Sequence, residues 1–187
     1  HFFLLSLLKQ EGLTSKDIEP VLLDPDKAAT AFLAGEVDAA VTYEPWLSTA
    51  RNASNGHVLI DSKEAPGLIV DIVVANNDFI KENPEATRAF VKSWFEALDY
   101  IEQNPDESEK IMADAFDLGL EEFREMHSGL KRPDLQEHKE FFGSTDNQGP
   151  IFKLLNDAGN IWVQEGIIEN KADSSGLVDA SFINSLN

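Results

Sequence analysis

The sequence has no cysteine. Disulfides, cysteine nucleophiles and thiolate metal sites are thereby excluded, while the redox compartment stays open. Basic residues are also scarce: 15 Lys and Arg stand against 34 Asp and Glu, a formal net charge of −19. Nucleic acid and anionic membrane surfaces are recognised by basic patches, so neither is an expected partner. The acid excess is spread along the chain and reads as a solubilising surface. No apolar run approaches the ~18 residues of a membrane span, so no direct membrane insertion is expected in this segment. No signal peptide is visible, which decides nothing about export. The chemistry motifs are missing as well. There is no P-loop, no GxSxG, no Rossmann glycine fingerprint and no internal repeat. His127 and His138 lie in no metal-ligand spacing, and no metal or other cofactor is expected.

What is present suffices for a core. The 187 residues are 42% hydrophobic, with 12 Phe and 3 Trp, enough for one domain or two small lobes. A compact chain of this size buries roughly 70% of its unfolded surface.

The most informative stretch runs from Asp24 to Trp46. Asp24 is a candidate N-cap, Pro25 suits a first helical turn, and Ala28, Ala29, Ala31, Phe32 and Leu33 supply helix propensity and an apolar face. Gly35 is placed to end that helix in the left-handed conformation. Val37 to Thr42, β-branched and small, reads as an interior strand. Tyr43, Glu44 and Trp46 then follow the strand's carboxyl end, with Pro45 stiffening the loop. In open α/β sheets ligands bind beyond the carboxyl ends of the strands. An acid between two aromatics at that place is a candidate recognition cluster. The alternative is that the rings are packing and Glu44 is a solvated loop acid.

Before this stretch, His1 to Gln10 reads as a helix already under way, stopped by Gly12, so the expectation is a fragment of a longer chain. Ile18 to Leu23 reads as a strand made irregular by Pro20. After it, Ser48 to Gly56 is polar loop or short helix. Asn52-Ala53-Ser54 matches a glycosylation sequon that recurs by chance. Val58 to Asp61 is a short strand, and Ile69 to Ala75 an apolar strand interrupted by Asp71. An acid there is costly to bury without a partner. Asp71 therefore either holds a ligand amine or hydroxyl in a cleft, or accepts backbone N–H bonds where the chain crosses between lobes.

The second half reads as helices. Asn83 and Pro84 open one that runs to Gln103, with Phe90, Val91, Trp94, Phe95, Leu98 and Ile101 as an inward stripe. Asn104 and Pro105 open another, with Ile111, Met112, Ala115 and Phe116 facing in. Glu121, Glu122 and Glu125 form a solvated face beside Phe123 and Met126. Pro150 to Glu165 is a long helix stopped by Gly166, and Asp179 caps a short terminal helix.

Phe32-Leu33-Ala34-Gly35, Glu36-Val37-Asp38-Ala39-Ala40-Val41 and Glu44-Pro45-Trp46 together resemble the substrate-binding proteins of the nitrate/sulfonate/taurine ABC importers. Leu59-Ile60-Asp61-Ser62, the Asp71–Val74 run before Asn77-Asp78-Phe79, and Asn83-Pro84-Glu85-Ala86 are similar to that family too. So are Val163 to Ile168 and Val178 to Phe182. The resemblance implies an α/β, periplasmic-binding-protein-like (type II) two-lobed fold, incomplete here because the N-terminal part of lobe one is missing. Residues 1–70 would form lobe two, and residues 71–187 a crossover strand and a mainly helical return to lobe one. It implies further that Tyr43, Glu44, Trp46 and Asp71 bind a small polar or anionic ligand between the lobes. Glu44 could meet a ligand ammonium group, or orient a side chain without touching ligand. The partners would be that ligand and an ABC transporter permease, and the location periplasmic or lipid-anchored extracellular. No enzymatic activity is expected. A binding protein for a vitamin precursor, an enzyme of thiamine-pyrimidine synthesis and a sensor domain are the alternatives on related folds.

Overall fold

The structure, a computed structural model, describes residues 1–54, 56–144 and 147–187. Among these residues it is helical, with ten α-helices, three 3-10 turns and a single isolated β-bridge between Gly143 and Gln148. The chain divides into two units: His1–Val70 with Ala158–Lys171, and Asp71–Asp157 with Ala172–Asn187.

In the first unit, α1 (Phe2–Gln10) has His1 as an N-cap without a side-chain bond. It ends as expected at Gly12, whose φ of +73° lets Leu13 N–H reach back to the Leu8 carbonyl at 2.8 Å. Helix α2 (Pro25–Leu33) follows the expected bounds, with Gly35 at φ +74° just past its end. Asp24 occupies the N-cap but makes no cap bond, because its carboxylate is paired with Lys27 at 2.6 Å. Leu5, Ala29, Ala31, Ala158 and Ile161 are buried, and Phe2 meets Trp162 edge to face at 6.3 Å. Helix α3 (Trp46–Arg51) occupies part of the stretch expected as loop or short helix; Asn55 there lies outside the described residues.

The four segments that read as strands, 18–23, 37–42, 58–61 and 69–75, form no ladder among the described residues. The difference from the expected α/β sheet has a physical cause. A helix satisfies its backbone within one segment, whereas a strand needs a neighbour for every N–H and C=O. None of these four segments serves as neighbour to another. Much of their apolar surface is left in water: Leu59 is 84% and Val74 80% exposed, and Leu22, Ile69 and Val73 are exposed too, while Ile18, Val37 and Val58 are half-buried.

In the second unit, α4 (Asn77–Glu82), α5 (Pro84–Gln103), α6 (Pro105–Ala115), α7 (Leu120–His127), α8 (Leu135–Phe142) and α10 (Ser181–Asn184) follow one another. Helix α9 (Pro150–Gln164) contributes its first eight residues here and the rest to the other unit. Asn83 and Asn104, expected as N-caps, donate instead to the carbonyls of Phe79 and Tyr100 in the preceding helices. The prolines that follow them stand at the first helical position and leave one orphan N–H fewer at each helix start.

The inward stripes are narrower than expected. On α5 only Phe95 is buried, while Phe90 and Trp94 are exposed. On α6 the buried positions are Ser108 and Ala113, and Ile111, Ala115 and Phe116 face out. Small residues there let α6 lie close to its neighbours. Phe123 on α7 is the core's most deeply buried large side chain, stacked on His127 at 4.9 Å. Beside it, Arg124 bonds Glu109 at 2.7 Å, Glu121 at 2.9 Å and Asp106 at 3.0 Å, tying α6 to α7.

His127 carries a pH prediction. Burial, then the Arg132 guanidinium 2.9 Å from its Nε2, hold this imidazole below the ordinary histidine value, and Glu109 opposes them. As pH falls, the unfolded chain binds the proton first, near the unperturbed value of ~6.5, so the folded state loses ground. The stability is present above that value and is lost as pH drops through the folded-state value. Melting temperatures taken from pH ~7.5 to ~5 should fall, and His127→Gln should flatten that slope. An unchanged slope in the variant would contradict this assignment.

Candidate functional site

The aromatic–acid–aromatic cluster is built on the turn that enters α3. Tyr43 carbonyl accepts the Leu47 N–H at 2.9 Å, and Pro45 carbonyl accepts the Thr49 N–H at 3.3 Å. Pro45 follows a cis peptide bond and occupies the N-cap of α3, where it has no side-chain acceptor to offer. The first amides of any helix are orphan donors. Glu44 supplies what Pro45 lacks: its Oε2 accepts the Ser48 N–H at 3.0 Å. A carboxylate at a helix start is also favoured by the helix dipole.

Its other oxygen, Oε1, lies 3.5 Å from the Arg51 guanidinium at the far end of α3. The Glu44 side chain is 21% exposed, against 45% for Arg51. The ring of Tyr43, 59% exposed, meets Trp46 at 5.3 Å and 65°, an edge-to-face pair. The local geometry therefore gathers three of the four expected residues: two rings flank an acid whose oxygens are turned into the turn and α3. It also adds two the sequence reading missed, the Ser48 amide and Arg51. A signal for Arg51 was available. It is a cation seven residues after Glu44 in a chain poor in cations, a spacing of two helical turns.

Asp71 is exposed and belongs to the second unit, and the structure gives it no hydrogen bond or ion pair among the described residues. An open depression of about 280 Å³ in the first unit is lined by Leu22, Leu23, Asp24 and Lys27, and none of the expected site residues borders it. Among the described residues no group of three His, Asp or Glu is placed to hold a metal ion. Among the described residues no helix is long and apolar enough to cross a membrane.

Chemically, the cluster offers an aromatic surface with a guanidinium nearby. Ring faces take apolar groups and cations, and guanidinium takes planar or tetrahedral oxyanions.

A family model described as the NMT1-like family matches residues 1–115. A taurine-binding periplasmic protein of Escherichia coli (strain K12) is 33% identical over 111 residues, covering 57% of this chain and 33% of that protein. A Bacillus subtilis (strain 168) protein, provisionally named as aliphatic sulfonates-binding, is 28% identical over 102 residues, 54% of this chain and 31% of that protein. An E. coli protein with the same provisional name is 39% identical over 64 residues, 34% of this chain and 20% of that protein. The chain thus spans about a third of the length of the first of these relatives, or less of the others.

Proposed function

The chain belongs to the NMT1-like family, and from that premise we propose that it is part of the solute-binding component of an ABC uptake system. The family has a periplasmic-binding-protein-like fold. The ligand is a small polar or anionic molecule of the sulfonate, taurine or nitrate class. It is captured between two lobes and delivered to a membrane permease. The observation that carries this reading is the match to the taurine-binding relative, which runs through more than half of this chain.

In this reading residues 1–70 are α/β lobe two and residues 71–187 are the crossover and return to lobe one. Tyr43, Glu44, Trp46 and Asp71 are ligand-site residues. Closure is a hinge motion, and the ligand shifts it by touching both lobes at once. The protein acts in the periplasm or, lipid-anchored, outside the cell. It catalyses no reaction; the relatives named above are binding proteins.

The test is calorimetric titration of taurine, short alkanesulfonates and nitrate into the polypeptide that carries this chain. One of these should bind, and Trp46→Ala should weaken it by about tenfold to a hundredfold, as loss of a central aromatic anchor does. Failure of all three to bind would sink the reading, and full affinity in the Trp46 variant would remove that residue from the site.

A further inference from the structure

We propose that Glu44 is a positioning residue: it caps α3 and thereby orients the Tyr43–Trp46 ring pair, and it does not itself hold the ligand. This rests on the sulfonate-binding reading above and decides a question that reading leaves open, what the acid between the two rings does.

Three observations carry it. First, both carboxylate oxygens are already engaged. Oε2 accepts the Ser48 N–H at 3.0 Å, and Oε1 faces Arg51 at 3.5 Å. Second, the carboxylate is tucked in while the adjacent ring is not: Glu44 is 21% exposed and Tyr43 59%. Third, α3 is six residues long with proline at its N-cap, so no other side chain caps it. A helix this short is not stable on its own propensity, and its first turn depends on that acceptor. Trp46 is the first residue of that turn, and Tyr43, three residues before it, is tied to the turn by its carbonyl, which accepts the Leu47 N–H at 2.9 Å. The angle between the rings is therefore set by the turn that Glu44 closes.

The proposal separates two effects that one substitution would confuse. Glutamine keeps an acceptor oxygen for the Ser48 N–H and loses the charge. The charge contributes little through Arg51, because a loose, half-exposed ion pair is weak. Alanine removes acceptor and charge together. A ligand-contact role predicts something different: loss of charge would matter only for a ligand that carries an ammonium group.

The experiment titrates taurine, and ethanesulfonate as the same molecule without its amine, into wild type, Glu44→Gln and Glu44→Ala. Near-ultraviolet circular dichroism reports the ring pair, and far-ultraviolet dichroism reports folding. The expected result is that E44Q weakens both ligands by about threefold and E44A weakens both by about tenfold or more, following the loss of a charge-assisted cap bond. The ratio of the two affinities stays constant, and the aromatic dichroism changes strongly only in E44A. A tenfold selective loss of taurine in E44Q, with ethanesulfonate little affected, would overturn the proposal and make Glu44 an ammonium contact. Equal affinities in E44A and wild type would overturn it too. Should E44A fail to fold, the taurine-to-ethanesulfonate ratio in E44Q decides alone. Should wild type bind neither sulfonate, the functional reading fails, and the aromatic dichroism of the three proteins still decides whether Glu44 sets the ring pair.

Discussion

Replacing Phe123 by alanine is expected to destabilise the second unit by about 3–5 kcal/mol, the usual cost of emptying a buried phenylalanine site. Phe123 is 1% exposed and contacts the rings of Phe116 and His127, at 6.1 and 4.9 Å. Helix α7 is eight residues long, too short to hold itself together, and Phe123 is its one buried residue. The surrounding groups cannot collapse into the space. Arg124 is held by three carboxylates on one side, and His127 is stacked on the ring itself. In a unit of roughly 100 residues, 3 kcal/mol lowers the melting temperature by more than about 10 °C. Glu122→Ala, an exposed change on the same helix, should stay within about 0.5 kcal/mol. Thermal and urea melts of the two variants beside wild type make the comparison. A Phe123 loss below about 1 kcal/mol would mean that α7 is not docked through this ring.

A second large loss is expected at Gly143. Its backbone has φ +72° and ψ −151°, a region open essentially to glycine alone. A β-carbon built there would collide with the Asn147 carbonyl oxygen and the Gly149 amide nitrogen, both backbone atoms that no rotamer change can move. The same residue holds three connections. Its N–H donates to Lys139 at 2.8 Å, its carbonyl accepts the Asn184 side chain at 2.8 Å, and it forms the bridge with Gln148. Relief of the collision by shifting the backbone would loosen the end of α8 and the seat of α10 together. Gly143→Ala should therefore cost about 2–5 kcal/mol, strain and overpacking combined. Gly176→Ala is the control, since a β-carbon there meets open space. Equal melting temperatures for the two variants would show that the turn at Gly143 relaxes freely.

The helices were legible because their signals are local. Pro25 and Gly35 bracket α2, Pro84 and Pro105 open α5 and α6, and Gly166 at φ +69° closes the stretch after α9. Each signal acts within one turn of chain, through a missing N–H or a permitted positive φ. The breadth of the inward faces was not legible. Periodicity marks which residues could be buried together, as on α5, but Phe95 is covered and Trp94 is not, which depends on what packs there. Cap bonds were misread for a related reason. Asp24, Asn83 and Asn104 each have a competing partner within four residues, Lys27, Phe79 and Tyr100, and composition does not rank the two.

At the candidate site the sequence by itself placed two rings and an acid in one short loop, and the family membership of residues 1–115 accords with the motifs quoted from it. It also determined the helices, since their backbone bonds and punctuation are contained in single segments. Tertiary structure alone decided the rest. The orientation of Glu44 into the Ser48 amide and toward Arg51 depends on how α3 folds back over the loop. The absence of a ladder in segments 18–23, 37–42, 58–61 and 69–75, among the described residues, was equally beyond the sequence. Strand propensity is written in a segment, but strand pairing belongs to two segments at once.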